Sequence, residues 1–554
     1  MTVALTEAKA APQLLILAEP LLREGLLRIL GGEGDKGEWV GTDSRRYGLH
    51  TAPEQLQGSA QLVIWGVPAA MPEPTLLREL MLLRERWQPA PLLLLLPGES
   101  QYPHDWLLQL PAEGLLQQAE PSEICSGVST LLAGGRVLEL RPLQTEAATS
   151  QAAALGLGQW LLRSGLAQIE AERQRCQRWL EVCEGGLSRL LLQGRLRELH
   201  MARSLLLWLW GPITLAFPAG EGAPTPPATG AATTAISLRQ RTAIGVWETI
   251  QDRLVAAART GLSNSSGQLL ALEGLSAEHR RDLLLALISQ LDLLLTRLRF
   301  DQLRGEALEQ RWLELQPDIR RLSLREMAGD YVRLPQQGSL LPVADSLIGI
   351  SDLSRQDPDL PPALPMLAAL VQAQPLLVEG RLLAPDEPQA LLHLEALISN
   401  WLIRSAEQIS AEVLACCSTW PELRRYLLSP ELLATRNLER LRNQLNTQQR
   451  WGSWFERPVQ LYESRRLLYG LRDGAIVPLP LTEPRDAELR QLGWPQQLVT
   501  LLLEARDALG PQLRVLLRTV GDLLVVVLTS VIGRAIGLVG RGILQGMGRS
   551  IGRP

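Results

Sequence analysis

Side chains able to do chemistry are few in this sequence and poorly gathered. The five histidines, His50, His104, His200, His279 and His393, form no HxxxH or HExxH pair. A zinc site built from neighbours on one helix is therefore not expected. The five cysteines, Cys125, Cys176, Cys183, Cys416 and Cys417, form no CxxC pair. They read as reduced, mostly buried thiols rather than as ligands or a redox couple. The stretch "SNSSG" at 263–267 offers hydroxyls for a nucleophile or a phosphate loop. With no GxSxG or P-loop frame around it, it reads as a solvated turn between helices. Glu306 and Glu309 share a helix face, but no base, lysine or third acid stands beside them, so they read as a solvated face. "VGRGILQGMG" at 539–548 has GxGxxxG spacing, yet only eight residues follow Gly546. A dinucleotide fingerprint opens a βαβ unit of about 30 residues. No catalytic residue, metal ligand or cofactor site is assigned, and the chain is expected not to be an enzyme.

One segment carries a strong charge pattern. Residues 511–554 hold six arginines and one acid, Asp522, a net +5 within a chain of net −4, which leaves −9 on the rest. At about 100° per residue, Arg534, Arg541 and Arg549 fall on one side of a helix. Ile532, Ile536, Val539, Ile543 and Met547 fall on the other. An arginine stripe opposite an Ile/Val/Met stripe suits an anionic membrane surface or a protein partner. Residues 523–540 approach spanning length, but Arg534 lies among them. A central arginine costs about 2.5–3.5 kcal/mol on insertion scales, which disfavours spanning. Seven glycines between 533 and 552 weaken the helix by about 1 kcal/mol each relative to alanine. Packing of this helix on the protein's own bundle is the alternative.

The elements that would position such groups follow from patterning. A chain of 554 residues, 46% hydrophobic and 21% charged, is globular and too long for one core. Over 1–142, short runs apolar on consecutive positions (Leu14–Leu17, Leu62–Trp65, Leu92–Leu96) alternate with helical patterns at 21–30, 75–87 and 121–133. Strands buried on both faces and separated by helices imply a doubly wound parallel α/β sheet. From about 150 onward, apolar residues recur at three and four in long Leu/Arg/Glu segments such as "LLLALISQLDLLLTRL" (283–298), which implies a large, mainly helical region. The Pro/Ala/Thr-rich stretch 217–237 reads as a linker or mobile loop. The expected domains are thus an α/β domain at 1–142, a helical segment at 143–216, the linker at 217–237, a helical domain at 238–510 and the basic tail at 511–554.

"LLILAEPLLREGLLRIL" (14–30), residues 61–72 and "GLLQQAEPSEICSGVSTLLAGGRVL" (114–138) together resemble the receiver domain of response regulators. That resemblance implies a phosphorylation site made of two acids after strand 1, an acceptor Asp ending strand 3, a Thr or Ser after strand 4 and a Lys after strand 5. Here those positions fall on Leu17 and Ala18, on Gly66, on Leu96 or Pro97, and on Gln117 or Gln118, with Glu19 the only nearby acid. Hard-cation binding needs the carboxylates, and phosphoryl charge needs the lysine. The expectation is a pseudo-receiver that keeps the fold and lacks the reaction. The whole arrangement is similar to a family of uncharacterised proteins of cyanobacteria and red-algal plastids, in which a degenerate receiver precedes a long helical domain. That likeness implies a photosynthetic host and a link to thylakoids.

The role expected on these grounds is an adaptor or assembly factor with a protein partner and an anionic membrane surface reached through 511–554. The alternative is a soluble signalling protein whose pseudo-receiver senses a ligand or partner. No nucleic-acid partner is expected. The N-terminal "MTVALTEAKAAPQ" lacks a basic region followed by an apolar one, so the expected location is cytoplasmic, peripheral to a membrane.

Overall fold

The computed structural model describes residues 12–31, 47–55, 59–69, 71–98, 102–141 and 234–505. They belong to two compact units. Among the described residues, the larger runs to Gln448 and takes back residues 467–481; the smaller comprises 449–466 and 482–505.

The larger unit begins with a sheet of seven strands: β1 (Gln13–Leu17), β2 (Gly48–His50), β3 (Leu62–Gly66), β4 (Leu92–Leu96), β5 (Gly114–Gln117), β6 (Arg136–Leu140) and β7 (Thr234–Leu238). Their order is β2-β1-β3-β4-β5-β6-β7, and the first five follow the flavodoxin-like order 2-1-3-4-5. The first six pair in parallel, and β7 closes the edge antiparallel to β6. Helices α1 (Pro20–Gly31), α2 (Glu73–Trp87), α3 (His104–Leu107) and α4 (Pro121–Leu132) lie between the strands in sequence. The Gly-Gly pair after α4 has a geometric reason. Gly134 takes φ +85, and the Gly135 N–H donates to Thr130 O at 2.9 Å, a left-handed helix stop that strongly favours glycine.

Alternation along the strands splits the apolar side chains between two cores. Leu14, Ile16, Leu62, Ile64, Leu93 and Leu95 pack with Leu26 and Leu30 of α1 and Ile124, Val128 and Leu131 of α4. Leu15, Val63, Trp65, Leu92 and Leu94 face the other way, toward Leu76 and Leu80 of α2, in a core continuous with that of the helical region.

That region contains α5 (Ala243–Thr260), α6 (Ala277–Asp301), α7 (Glu306–Ala328), α8 (Val343–Ile350), α9 (Ala363–Gln372), α10 (Pro388–Cys417), α11 (Pro421–Leu427) and α12 (Thr435–Trp451), the last reaching the smaller unit. Thr242 caps α5 by accepting from Gly245 N at 3.1 Å, as an N-cap threonine does. The 30-residue α10 is the spine, with Leu391, Leu394, Ile398, Leu402, Ile409 and Val413 all buried.

The doubly wound sheet and the large helical region are as the sequence implies, but three expectations need correction. First, the α/β domain does not end at 142. Residues 234–238, the end of the stretch read as a linker, form β7, and Ile236 and Leu238 join the shared core. Second, "SNSSG" is only in part a solvated turn: Ser263, Ser265 and Gly267 are exposed. Ser263–Asn264 form β8, which pairs with a later strand. Ser266 is buried, and its Oγ donates to Asn264 Oδ1 at 2.6 Å. Third, the helical region contains hairpins: β9 (Arg333–Gln336) with β10 (Ser339–Pro342), β11 (Leu376–Val378) with β12 (Arg381–Leu383), and β13 (Arg465–Arg472) with β14 (Ala475–Thr482). Each turns through a residue–Gly pair with both φ positive, namely Gln337-Gly338, Glu379-Gly380 and Asp473-Gly474. That is the turn matched to strand twist.

The smaller unit contains α13 (Arg457–Tyr462), α14 (Asp486–Arg490) and helical residues 494–505, and it holds two buried arginines. Arg466 donates to Glu483 and, at 2.9 Å, to Glu488. Arg485 donates to Glu488 at 2.5 Å and to Arg465 O at 3.0 Å.

Candidate functional site

In open α/β sheets, ligands bind outside the carboxyl ends of the strands, and the five receiver positions meet there. Strand pairing sets Leu17 beside Trp65, Gly66 beside Leu95, and Leu96 beside Gln117. An open depression over β1 and β3 is lined by Leu17, Ala18, Glu19, Arg23, Thr51 and Gly66, among others. The fold therefore gathers Leu17, Ala18 and Gly66 as in a receiver, and none of the three offers a side-chain oxygen ligand.

The geometry at Gly66 goes further than its residue type. A Cβ built there would lie 2.5 Å from Leu22 Cδ2 and 3.1 Å from Ala18 Cβ. Leu22, from the first turn of α1, covers the place where an acceptor carboxylate would stand. Glu19 is exposed at the start of this helix. Among the described residues no group of three or more His, Cys, Asp or Glu side chains is placed to hold a metal ion.

The β5 end is committed to the scaffold. Gln117 is buried; its Nε2 donates to Gly98 O at 3.4 Å, and its Oε1 accepts from Arg141 N at 3.0 Å. Gln118, at φ +51, accepts from Arg141 Nη1 at 3.1 Å. The two amides thus tie the loop after β4 to the end of β6, where a receiver lysine would reach for phosphate. The tail residues Ile532, Arg534, Ile536, Val539, Arg541, Ile543, Met547 and Arg549 lie outside the described residues. Among the described residues no helix is long and apolar enough to cross a membrane.

Sequence reasoning missed a second concentration of polar groups, inside α10. Asn400 is fully buried, and its Oδ1 accepts from Tyr469 N at 3.0 Å. Arg404 donates to Asp357 Oδ2 at 2.9 Å and lies 5.4 Å from the Tyr469 ring centre. The Tyr469 hydroxyl donates to Gln268 Oε1 at 2.6 Å. Glu407 accepts from Ala271 N at 2.8 Å and Leu272 N at 2.7 Å. Burial pushes the Glu407 carboxyl up to about 7, with Glu273 adding to it, while the two N–H groups and Arg404 pull it down. Burial opposes the Arg404 charge, but Asp357, Tyr469 and Asp359 outweigh it and hold its pKa above the ordinary arginine value. Beside this seam Trp401 packs against Trp312 at a tilt of 51°, ring centres 5.2 Å apart. Its Nε1 is buried without a partner among the described residues. Trp420, in contrast, donates to Pro335 O at 3.1 Å, and Trp454 and Trp494 are exposed.

The strand order is the flavodoxin-like one, which receivers share with other doubly wound folds. Comparison with known proteins adds the following likenesses. Residues 156–210 match the family model described as "Cyanobacterial response regulator, helical hairpin domain". Residues 358–548 match "Protein of unknown function (DUF3685)". The chain is similar to a Ycf55-like protein of the cyanobacterium Synechocystis, 29% identical over 412 residues that cover 70% of this chain and 71% of that protein. It is also 27% and 28% identical, over 132 residues, to the uncharacterized protein ycf55 of Pyropia yezoensis and of Porphyra purpurea. Those matches cover 24% of this chain and 41% of each relative. No solved structure matches. The resemblance to a response-regulator-like, uncharacterised family of cyanobacteria and red algae thus holds.

Proposed function

We propose that this chain is a non-enzymatic regulatory adaptor. Its receiver-like sheet docks a protein partner without phosphorylation, and its basic tail brings it to an anionic membrane surface. The observation that carries the first half is Leu22 lying over Gly66, at a strand end where Leu17 and Ala18 replace the metal carboxylates. The core shared between sheet and helices supports a relay from the docked partner into the helical region. The second half rests on the arginine stripe of the tail. Relatives from a cyanobacterium and two red algae favour the thylakoid as that membrane.

Two measurements test the halves separately. Incubation with acetyl phosphate and Mg²⁺ should leave the protein unlabelled; labelling overturns the pseudo-receiver reading. Flotation with vesicles rich in an anionic lipid should carry the full-length protein upward. The variant Arg534→Glu/Arg541→Glu/Arg549→Glu should stay at the bottom. If both behave alike, the membrane role fails while the docking role stands.

A further inference from the structure

The last described helix, residues 494–505, carries its apolar stripe on the outside. At about 100° per residue, Trp494, Leu498, Leu501 and Leu502 fall within one arc of about 100°, with Gln497 and Glu504 on its flank. That arc points away from the protein: Trp494 is 78% exposed, and Leu498, Leu501 and Leu502 are 51%, 59% and 61% exposed. The opposite side, which packs, carries Gln496, Val499, Thr500 and the buried Leu503. Gln496 fixes this orientation. Its Oε1 accepts from Gly493 N at 3.2 Å, and its Nε2 donates to Ser453 O at 2.6 Å. The second bond sets the start of the helix against the π-helical turn Gly452–Glu456. On that turn Phe455 packs on Trp451, ring centres 4.3 Å apart, while Trp454 is 63% exposed. All of these residues belong to the smaller unit.

A surface helix normally buries its apolar stripe, and clustered large apolar side chains left exposed mark a site of association. Two observations select a lipid surface as what covers this one. The first is composition. The exposed set is two tryptophans and three leucines. An indole joins an apolar ring to a polar N–H and settles at headgroup level, where leucines beside it reach the acyl chains. The second is position. The described helix ends at 505, and the segment with six arginines and one acid begins at 511. Charge attracted to anionic lipid and apolar area to be buried therefore reach the same surface, and in membrane binding these two contributions add.

We propose that this face seats in the headgroup boundary of an anionic lipid bilayer, with Trp454 and Trp494 at the boundary and Leu498, Leu501 and Leu502 against the acyl chains. The proposal rests on the reading of this chain as a membrane-surface protein and adds apolar insertion to the charge that the tail supplies. The test uses the full-length protein and vesicles of phosphatidylcholine and phosphatidylglycerol. The phosphatidylcholine is brominated on its acyl chains, so that it quenches indoles that reach them. Binding should quench wild-type tryptophan emission and move it to shorter wavelength. Trp454→Phe/Trp494→Phe should still bind and lose most of the quenching. Leu498→Ser/Leu501→Ser/Leu502→Ser, three changes at exposed positions, should lose about tenfold or more in vesicle affinity. Quenching that survives in the tryptophan variant overturns the proposal and leaves the tail's role standing. So does a leucine variant that binds as the wild type does. Equal binding of the wild type and Arg534→Glu/Arg541→Glu/Arg549→Glu, with the quenching intact in both, removes the tail's role alone and supports the face. A wild type that binds no vesicle overturns both. A leucine variant that turns a dimer into a monomer by light scattering, at unchanged vesicle affinity, assigns the face to a second copy and also overturns the proposal.

Discussion

The side chain of Leu22 lies over Gly66, so close that a Cβ on the glycine would come within 2.5 Å of Leu22 Cδ2. The loss of the acceptor is therefore accompanied by a leucine side chain from the neighbouring helix standing in the space it would occupy. A reversion at one position meets both a steric obstacle and missing metal ligands.

Gly66→Asp should accordingly fold, take up no phosphate from acetyl phosphate with Mg²⁺, and be destabilised by about 1–3 kcal/mol, as expected for overpacking. Leu22 is 40% exposed and able to swing outward, which points to the low end. Chemical denaturation and intact-mass measurement check both halves. Adding Leu22→Ala should recover most of the stability and still give no phosphorylation.

Glu407 should leave a signature in the pH dependence of stability. Its carboxyl is pushed from the ordinary 4.5 up to about 7. Between those values the folded protein holds a proton that the unfolded chain has released. Stability therefore falls as pH rises through that window and is level above it, the full loss being up to about 3 kcal/mol. Glu407→Gln keeps one acceptor for the Ala271 and Leu272 N–H groups and does not ionise. The wild-type urea midpoint should drop relative to that of Glu407→Gln between about pH 4.5 and 7, whereas parallel curves contradict the assignment.

The smaller unit should depend on Glu488. This carboxylate joins Arg466 and Arg485, which are 4% and 2% exposed. Burial alone would raise its pKa, but hydrogen bonding to Arg485, together with the charges of Arg485 and Arg466, lowers it. Its contribution is thus present above the ordinary glutamate range and lost as pH falls through the depressed value. Glu488→Gln leaves two buried guanidiniums sharing Glu483 and should destabilise this unit by about 2 kcal/mol, less than for a fully buried pair because Glu488 is partly solvated. Limited proteolysis should show earlier cleavage within 482–505 than in the wild type.

Much of the sheet was legible because β1, β3 and β4 are apolar on consecutive positions and helical patterns of period 3.6 lie between them. The acceptor position was readable from Gly66 alone. That Leu22 closes over it was not, since a leucine in the first turn of a helix looks the same whether it covers a site or faces water. β7 was hidden because "TAISL" ends a stretch of small residues and prolines and acquires strand character only from its partner β6. The β13–β14 hairpin carried a usable signal, Asp473-Gly474 between apolar runs. The polar seam of α10 carried none. Asn400, Arg404 and Glu407 recur at three and four, a spacing shared by solvated faces, and only the packing of Asp357, Tyr469 and Ala271 against them shows otherwise.

The central claim is that this receiver-like sheet works without a phosphoryl group. Its most direct test is the intact mass of the full-length protein after incubation with acetyl phosphate and Mg²⁺, run beside an active receiver domain as control. The account predicts an unchanged mass while the control gains one phosphoryl group. A gain of one phosphoryl group, labile at high pH as an acyl phosphate is, would contradict it.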